Sequence, residues 1–301
     1  MAVGLETIMN TSIPGPTDIA DELQGWIGKT LVIDDEITLP AVRRIAAMDD
    51  LDPSGFRRGD AILPHWYSMF FTLNARQSQL GHDGHPRKGE FLPPIPLPRR
   101  MFAGRKAEFR QPLRIGDMAV KRSEIMSIKQ KTGRSGPLVF LTVRHTIEVE
   151  GKPALIEYQE VVYRGELPAN VVAPTSTVQS APLDAQWTES LFMDPVLVFR
   201  YSAATWNSHR IHYDAEYSRT QEKYPGCVMN GALTIHRIID AALRNAPGKR
   251  LTGLEARLFK PLFVGETVVL AGKHGDDGRV EAWAADKEGA LAGTVSLQFD
   301  Q

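Results

Sequence analysis

The sequence predicts an α+β protein of two related halves, each with an antiparallel sheet wrapped around a central helix. An internal repeat is the first observation behind this, since Pro112-Leu-Arg-Ile-Gly116-Asp117 and Pro261-Leu-Phe-Val-Gly265-Glu266 share the pattern Pro-Leu-x-x-Gly-acid. The second observation is that each copy leads into several strand-like stretches. The third is a helix pattern in each half, placed before its copy of the repeat.

The elements follow in chain order. In the first half a helix is predicted over 64–80, with Pro64 at its start and Gly81 as its stop, followed by strands at 125–128, 138–149 and 155–163. In the second half a strand-like run at 196–199 precedes a helix over 231–246 and strands at 267–271, 279–284 and 291–299. The second helix is apolar on most sides, which indicates that a sheet curls around it.

Composition divides the chain into two domains and excludes several function classes. Residues 166–186 are rich in Pro, Ser, Thr and Ala and are predicted to be a linker between domains at 1–165 and 187–301. A net charge of −1 argues against nucleic-acid binding. The single Cys227 favours a reducing compartment. No secretory signal or membrane-spanning run is visible, so a cytoplasmic protein is expected.

The segment Asn207-Ser-His209-Arg210-Ile-His212-Tyr-Asp214 is the strongest functional signal. A histidine exchanges protons near neutral pH. Shortly after it, a glycine-bounded turn from Gly226 to Gly231 opens the apolar helix, and a helix start stabilises negative charge. This pairing is typical of chemistry beside a carbonyl group.

These features resemble the MaoC-like hydratase and dehydratase superfamily, whose fold is the double hot-dog. The superfamily motif Asp-x-Asn-Pro-x-His falls on Asn207 to His212, where the histidine matches but Asn207 replaces the aspartate. A closer resemblance is to the hydroxyacyl-thioester dehydratase type 2 branch, which includes fungal mitochondrial dehydratases and bacterial mesaconyl-CoA or itaconyl-CoA hydratases. The stretch from Leu80 to Met101 is most similar to the bacterial members. The resemblance implies two hot-dog halves packed as an intrachain pair, the first of them degenerate.

Roles can be assigned to the candidate catalytic residues. His212 is expected to transfer the proton, and Asn207 to orient water or the carbonyl, because an amide cannot take up a proton. His209 or Asp214 would be the second proton-handling group. The resemblance adds Gly231, since the family uses the corresponding helix start to bind the thioester oxygen.

Substrate binding is expected to involve cations. A free carboxylate or the phosphates of coenzyme A would be bound by guanidinium groups. Asn230, at the start of the second helix, is a further candidate for substrate binding. The candidate cations are Arg99, Arg100, Arg134 and Arg210. The cluster of His82, Asp83 and His85 is weak evidence for a metal site, so neither a metal nor a cofactor beyond the coenzyme A of the substrate is expected.

The predicted function is that of a hydro-lyase acting on a carboxylated or branched enoyl-CoA, with mesaconyl-C4-CoA or itaconyl-CoA giving citramalyl-CoA as the favoured case. An (R)-3-hydroxyacyl-thioester dehydratase of fatty-acid metabolism, a hot-dog acyl-CoA thioesterase and a non-catalytic acyl-thioester binding protein remain as alternatives. The expected partner is the acyl-CoA substrate, and a homodimer is plausible.

Overall fold

The computed structural model describes residues 22–133, 136–165 and 179–300. Their strands form one ten-stranded sheet in the order β1-β3-β4-β5-β2-β7-β10-β9-β8-β6, in which all neighbours run antiparallel. The strand bounds are β1 Thr30–Glu36, β2 Arg99–Phe109, β3 Met118–Gly133, β4 Gly136–Val149, β5 Lys152–Arg164, β6 Trp187–Phe192, β7 Leu251–Leu258, β8 Thr267–His274, β9 Val280–Ala285 and β10 Leu291–Phe299. The first five strands belong to the first half of the chain and the last five to the second.

The helices are few and short. The α-helices with individual bounds in the described ranges are α1 Leu39–Met48, α2 Pro195–Ala204, α3 Ala215–Thr220 and α4 Gly231–Arg244. Four 3-10 helices lie at Pro53–Gly55, Pro64–Met69, Gln77–Gln79 and Arg210–His212. No helix in the described ranges combines the length and the apolar character needed to cross a bilayer.

The sequence repeat marks equivalent turns in the two halves. Gly116 and Gly265 both have positive φ, at +100° and +88°, a conformation that glycine adopts without steric cost. Each glycine N–H donates to the carbonyl oxygen of the residue before a helix N-cap, Gly116 to Ile37 and Gly265 to Met193. The helices that follow, α1 and α2, both span ten residues and both begin with a proline in their first turn. The internal repeat is therefore structural.

Helix α4 is the central helix of the second half. Its buried residues include Leu233, Ile235, Ile238 and Ile239, and it packs against β8, β9 and β10. Burying several large aliphatic side chains, at about 1.5–3 kcal/mol each, stabilises the curl of the sheet around the helix.

The two halves share one sheet. Strand β2 of the first half pairs with β7 of the second, and a Cβ on Gly104 would overlap the Ala256 backbone across this joint. The sheet therefore continues through the molecule where two separate sheets were predicted. The domain boundaries stay predictions, and residues 166–178 of the predicted linker lie outside the described ranges.

The predicted first-half helix over 64–80 is wrong. Two short 3-10 helices, Pro64–Met69 and Gln77–Gln79, form instead, and the first ends because Phe71 has φ +58° and cannot continue a right-handed helix. Asp35 accepts a hydrogen bond from the Phe71 N–H and Lys121 donates one to its carbonyl, and these two bonds hold the strained backbone in place. The described residues of the first half consequently contain no equivalent of α4.

The strand-like interpretation of 196–199 is also wrong, because these residues lie in helix α2. Asp194 caps this helix by accepting from the Val196 N–H at 2.9 Å, and Pro195 occupies the first turn. Both are strong helix-start signals. They outweigh the β-branched residues that follow.

Candidate active site

A cavity of about 710 Å³ lies between the two halves. The second half contributes the motif segment and the start of α4, while the first half contributes the concave face of β2 to β5 and the loop before β2. Cavities of this size accommodate small organic ligands.

His212 lines the cavity in a defined tautomer. Its Nδ1 lies 2.8 Å from the carbonyl oxygen of Val228, and since a carbonyl only accepts, Nδ1 carries the proton. Nε2 is then the nitrogen with a free lone pair. Burial lowers the pKa of His212 to about 4, so the ring is neutral at pH 7 and able to accept a proton.

Helix α4 begins at the cavity without a side-chain cap. Gly231 is its first residue, and the Gly231 N–H donates to no described residue. A Cβ on Gly231 would lie 2.6 Å from Leu258 Cδ1 and 3.7 Å from Phe102 Cδ1, so any larger residue would require the Leu258 side chain to move. The Gly231 amide and the helix dipole can therefore stabilise a developing oxyanion.

His212 and Gly231 belong to one local unit. Val228, which anchors the imidazole, lies three residues before Gly231, and the segment between them lines the cavity. Asn230, in the N-cap position, is buried, and its amide exchanges hydrogen bonds with the Ser202 hydroxyl. The base and the oxyanion donor are thus fixed to the same stretch of backbone.

Asn207 is placed by the end of helix α2. The Asn207 N–H donates to Ser202 O at 2.8 Å and the Trp206 N–H to Ala203 O, with Trp206 at φ +51°, which is a Schellman-type helix end. The Asn207 side chain accepts from the His209 N–H at 3.0 Å and lines the cavity. Its amide nitrogen donates to no described residue and can orient a ligand oxygen.

Sequence reasoning missed two members of the site, Asp83 and His85. Both line the cavity, and the His85 ring stacks on His209 with centroids 4.0 Å apart. Asp83 Oδ2 accepts from His85 Nδ1 at 2.9 Å. Burial alone would raise the pKa of Asp83, but the hydrogen bonds from His85 lower it. A first-half carboxylate–histidine pair therefore joins the second-half motif.

The loop that carries His85 is tied to the motif segment. The Arg210 N–H donates to Asp83 O at 2.9 Å and the Ser208 hydroxyl donates to Gly84 O at 2.6 Å. Gly84 has φ +87°, and a Cβ there would overlap the Ser208 carbonyl. The sequence signals for this contact are the cluster of His82, Asp83 and His85, interpreted as weak evidence for a metal site, and the long Pro-rich loop from Gly81 to Gly104 that carries it, for which a binding or lid element and a solvated loop were both open.

His209 lies between two other imidazoles. Its ring is 4.0 Å from that of His85 and 5.4 Å from that of His212, measured between centroids. Burial and these two rings push the pKa of His209 well below the ordinary histidine value. His209 is therefore neutral at pH 7, which fits a relay or positioning role better than that of a proton donor.

The structure speaks against a proton-handling role for Asp214. It does not line the cavity, and it caps helix α3 by accepting from the Tyr217 N–H at 2.9 Å. Its other oxygen accepts from Arg210 Nη2 at 2.7 Å. Arg210 also lies outside the cavity lining, so the substrate-binding role predicted for it is not supported either.

Two of the predicted cations do line the cavity. Arg99 is buried there, paired with Glu222 at 3.1 Å and donating to the Tyr224 hydroxyl at 2.9 Å. Arg100 also lines it, without an ion pair to any described residue. Arg134 lies outside the described residues.

Two groups of side chains could in principle hold a metal ion. In each group, the potential ligand atoms all lie within 4.8 Å of one another. The first group is Asp83, His85 and His209; the second is Asp49, His65, His236 and Asp240, where Arg237 reaches both carboxylates. Arg237 offsets one of the two carboxylate charges of the second group, whose ion pairs form a network that joins α1 to α4.

Comparison with known proteins gives three consistent matches. The family model of hydroxyacyl-thioester dehydratase type 2 matches residues 65–264. The chain is 43% identical over 275 residues to the mesaconyl-C(4)-CoA hydratase of Chloroflexus aurantiacus, covering 90% of this chain and 96% of the relative. Among solved structures, a MaoC-like dehydratase from Phytophthora capsici has a TM-score of 0.67 at 15% identity, covering 93% of this chain and 98% of the other.

A further structural neighbour bears on the fold class. A Mycobacterium tuberculosis protein described as having a double hot-dog fold has a TM-score of 0.52 at 14% identity, covering 91% of this chain and 96% of the other. The predicted double hot-dog class is confirmed, and so is the resemblance inferred from the motif segment.

Proposed function

Because the chain belongs to the hydroxyacyl-thioester dehydratase type 2 family, we propose that it hydrates the double bond of an enoyl-CoA, as a lyase of the carbon–oxygen class. The favoured substrate is mesaconyl-C4-CoA, which would give citramalyl-CoA. The relative from Chloroflexus aurantiacus supports this substrate at 43% identity. The single observation that carries the proposal is that the free Nε2 of His212 and the free N–H of Gly231 belong to one unit that lines one cavity.

The reaction needs a base and an oxyanion site. Water adds to the carbon β to the thioester carbonyl, so negative charge builds on the thioester oxygen. His212 Nε2 takes a proton from the attacking water, and the Gly231 N–H binds the thioester oxygen. The oxygen–carbon bond forms as the carbon–carbon π bond shifts toward the carbonyl. The imidazolium then returns a proton to the α carbon, either directly or through the neighbouring imidazoles, and the ring is neutral again.

Other residues have supporting roles in the proposal. The Asn207 amide orients the water or the carbonyl, in place of the aspartate of the superfamily motif. His209 positions His212 and connects it to the Asp83–His85 pair. Asn230 holds the helix start in register through Ser202. Arg100 is the favoured contact for a phosphate of coenzyme A, because no described carboxylate pairs with it.

The test is incubation of the purified protein with mesaconyl-C4-CoA, itaconyl-CoA and crotonyl-CoA, followed by mass detection. Hydration gives a product heavier by one water with the thioester intact. A thioesterase would release free coenzyme A thiol, and a binding protein would return the substrate unchanged while raising the melting temperature. Either of the last two outcomes with all three substrates refutes the proposal.

Three properties of the protein stay predictions. They are the absence of a further cofactor, a homodimer and a cytoplasmic location. Dialysis against a chelator, sedimentation of the pure protein and imaging of a tagged chain would test them in turn.

A further inference from the structure

A group of polar side chains covers the wall of the cavity opposite the motif segment. This first-half cluster consists of Arg105, Lys121, Ser123, His145, Glu157 and Gln159, all of which line the cavity. They come from adjacent strands of one sheet face. Ser123, His145 and Glu157 lie side by side across β3, β4 and β5, and Arg105 lies opposite Gln159 across β2 and β5. Such neighbours are close enough to act on one ligand group.

The cluster carries one positive charge beyond its internal pairing. Arg105 lies 3.7 Å from Glu157, and Tyr67 hydrogen-bonds to both, so these two charges offset each other. Despite its burial, the pKa of Glu157 is lowered by Arg105, which keeps the carboxylate ionised. Lys121 then remains, which makes the sum over Arg105, Lys121 and Glu157 one positive charge.

Lys121 has no ion pair with any described carboxylate. Its Nζ donates to Phe71 O at 2.9 Å, and two of its three N–H donors make no hydrogen bond to a described residue. Burial lowers its pKa, while the charges of Glu157 and Asp35 raise it. Asp35 is engaged with the Phe71 N–H and does not line the cavity. An ammonium group that is partly removed from water and has no paired anion is costly, and an anionic ligand would reduce that cost.

The uncharged members of the cluster present donors as well. His145 Nε2 lies 2.9 Å from Gln159 Oε1, which can only accept, so Nε2 carries the proton and Nδ1 accepts from the Ser123 hydroxyl at 2.8 Å. Burial lowers the pKa of His145, which keeps the ring neutral. Gln159 Nε2 is left with no hydrogen bond to a described residue. It and the Lys121 ammonium are therefore hydrogen-bond donors that line the cavity and have unused capacity for a ligand.

The cluster lies one aromatic ring away from the oxyanion site. The guanidinium carbon of Arg105 is 4.9 Å from the centre of the Phe102 ring. The same ring has its Cδ1 3.7 Å from where a Cβ on Gly231 would be. A short acyl group with its carbonyl at the Gly231 N–H would therefore place its far end against the cluster. A long alkyl chain would instead meet buried charge.

We propose that the first-half cluster is a binding subsite for the free carboxylate of a short dicarboxylic enoyl thioester, with Lys121 as its main cation. This rests on the proposed function and deepens it, because it explains how an enzyme of this family selects a charged acyl group. Lys121 and Gln159 donate to the carboxylate, and Arg105 adds positive charge next to it. The ionic partner that Lys121 lacks in the protein is supplied by the substrate.

The test compares Lys121→Met with Lys129→Met, a matched change at an exposed lysine on the same strand. Each protein is assayed with mesaconyl-C4-CoA and with the analogue in which the free carboxylate is a neutral carboxamide. We expect the ratio of kcat/KM for the acid to that for the amide to fall on the order of 10²-fold in Lys121→Met, because a hydrogen bond to a charged group is lost. Lys129→Met should keep the wild-type ratio.

A binding measurement covers the case in which Lys121→Met does not fold. Wild-type protein and Gln159→Leu are titrated calorimetrically with succinyl-CoA and butyryl-CoA, which differ in the terminal carboxylate. Wild type should prefer succinyl-CoA, and Gln159→Leu should lose at least several-fold of that preference. An unchanged acid-to-amide ratio in folded Lys121→Met, or equal affinities in wild type, overturns the subsite.

The same experiments distinguish an error in the proposed function from an error in the proposed subsite. A wild-type protein that hydrates neither substrate but still prefers succinyl-CoA refutes the hydratase and retains the subsite. A wild-type protein that hydrates mesaconyl-C4-CoA while Lys121→Met keeps the wild-type ratio retains the hydratase and refutes the subsite.

Discussion

The buried imidazole of His212 gives the site a pH dependence unlike that of an ordinary histidine. Burial favours the neutral ring and lowers the pKa of His212 to about 4. The base must be neutral to accept a proton from water, so activity should be lost only as the pH falls through that value. We therefore expect kcat/KM to stay level from pH 8 down to pH 6 and to decline below pH 5.

The rate at pH 5 distinguishes a buried histidine base from one with an unperturbed pKa. At pH 5 a base with a pKa of about 4 is still about 90% neutral, whereas one at the unperturbed value of about 6.5 is only about 3% neutral. The predicted rate at pH 5 is thus roughly 30-fold higher than that of an enzyme with an unperturbed histidine base.

The assay follows the loss of enoyl absorbance across pH 4 to 8. It uses the neutral carboxamide analogue, so that no free carboxylate of the acyl group titrates in this range. His212→Gln should lower kcat by about 10²- to 10⁴-fold at every pH, since general base catalysis is lost. His274→Gln, a change at an exposed histidine on β8, is the matched control and should keep the wild-type profile.

Protein stability must be checked at each pH. The neutral buried histidines have lowered pKa values, so they stabilise the fold above the unfolded value of about 6.5, and that stability is lost as the pH falls through their folded values. Circular dichroism therefore accompanies each rate. An acid limb near pH 6.5 in protein that is still folded, or a near-wild-type rate in His212→Gln, refutes this role for His212.

Three further changes test other parts of the structure. Gly231→Ala should lower kcat by up to about 10²-fold, because its Cβ would lie 2.6 Å from Leu258 Cδ1 and would displace groups at the oxyanion site. Adding Leu258→Ala should recover much of the rate, and no recovery would contradict the steric cause. Gly84→Ala should lower kcat by displacing His85. Gly89→Ala, also at a positive φ but with no atom near its Cβ, is the control and should not lower it. Equal losses of kcat would argue against a role for the contact between Gly84 and Ser208. Arg237→Met should lower the free energy of unfolding by about 3 kcal/mol because Asp49 and Asp240 lose their cation, and urea unfolding would measure it. The exposed Arg244→Met should cost less than about 1 kcal/mol, and similar losses would contradict a buried network.

The parts of the fold that were predictable are those set by local chemistry. The turns at Gly116 and Gly265 follow from a glycine at positive φ, and helix α4 follows from the glycine-bounded turn and the apolar residues after it. His212 and Gly231 could be identified because they lie close together in the chain, joined through Val228.

The parts that were not predictable depend on distant residues. The first-half helix is interrupted at Phe71 by Asp35 and Lys121, which are 36 and 50 positions away. The place of Asp83 and His85 in the site depends on contacts with Ser208 and Arg210, more than 120 positions along the chain. Hydrophobic periodicity carries no information about such pairings. The strand predicted at 196–199 is wrong for a local reason, because Asp194 as the N-cap and Pro195 in the first turn start a helix there.

The continuity of the sheet across β2 and β7 has a consequence for how such a protein can diverge. A duplicated ancestor with two equal halves would have had to accept every change twice, once for each copy of its pocket. With the two halves joined edge to edge, the second half could keep His212 and Gly231 while the first half, without a central helix, came to form the part of the cavity that selects the acyl group. New acyl groups can then be accommodated by altering β3, β4 and β5 alone, with the proton-transfer chemistry left untouched.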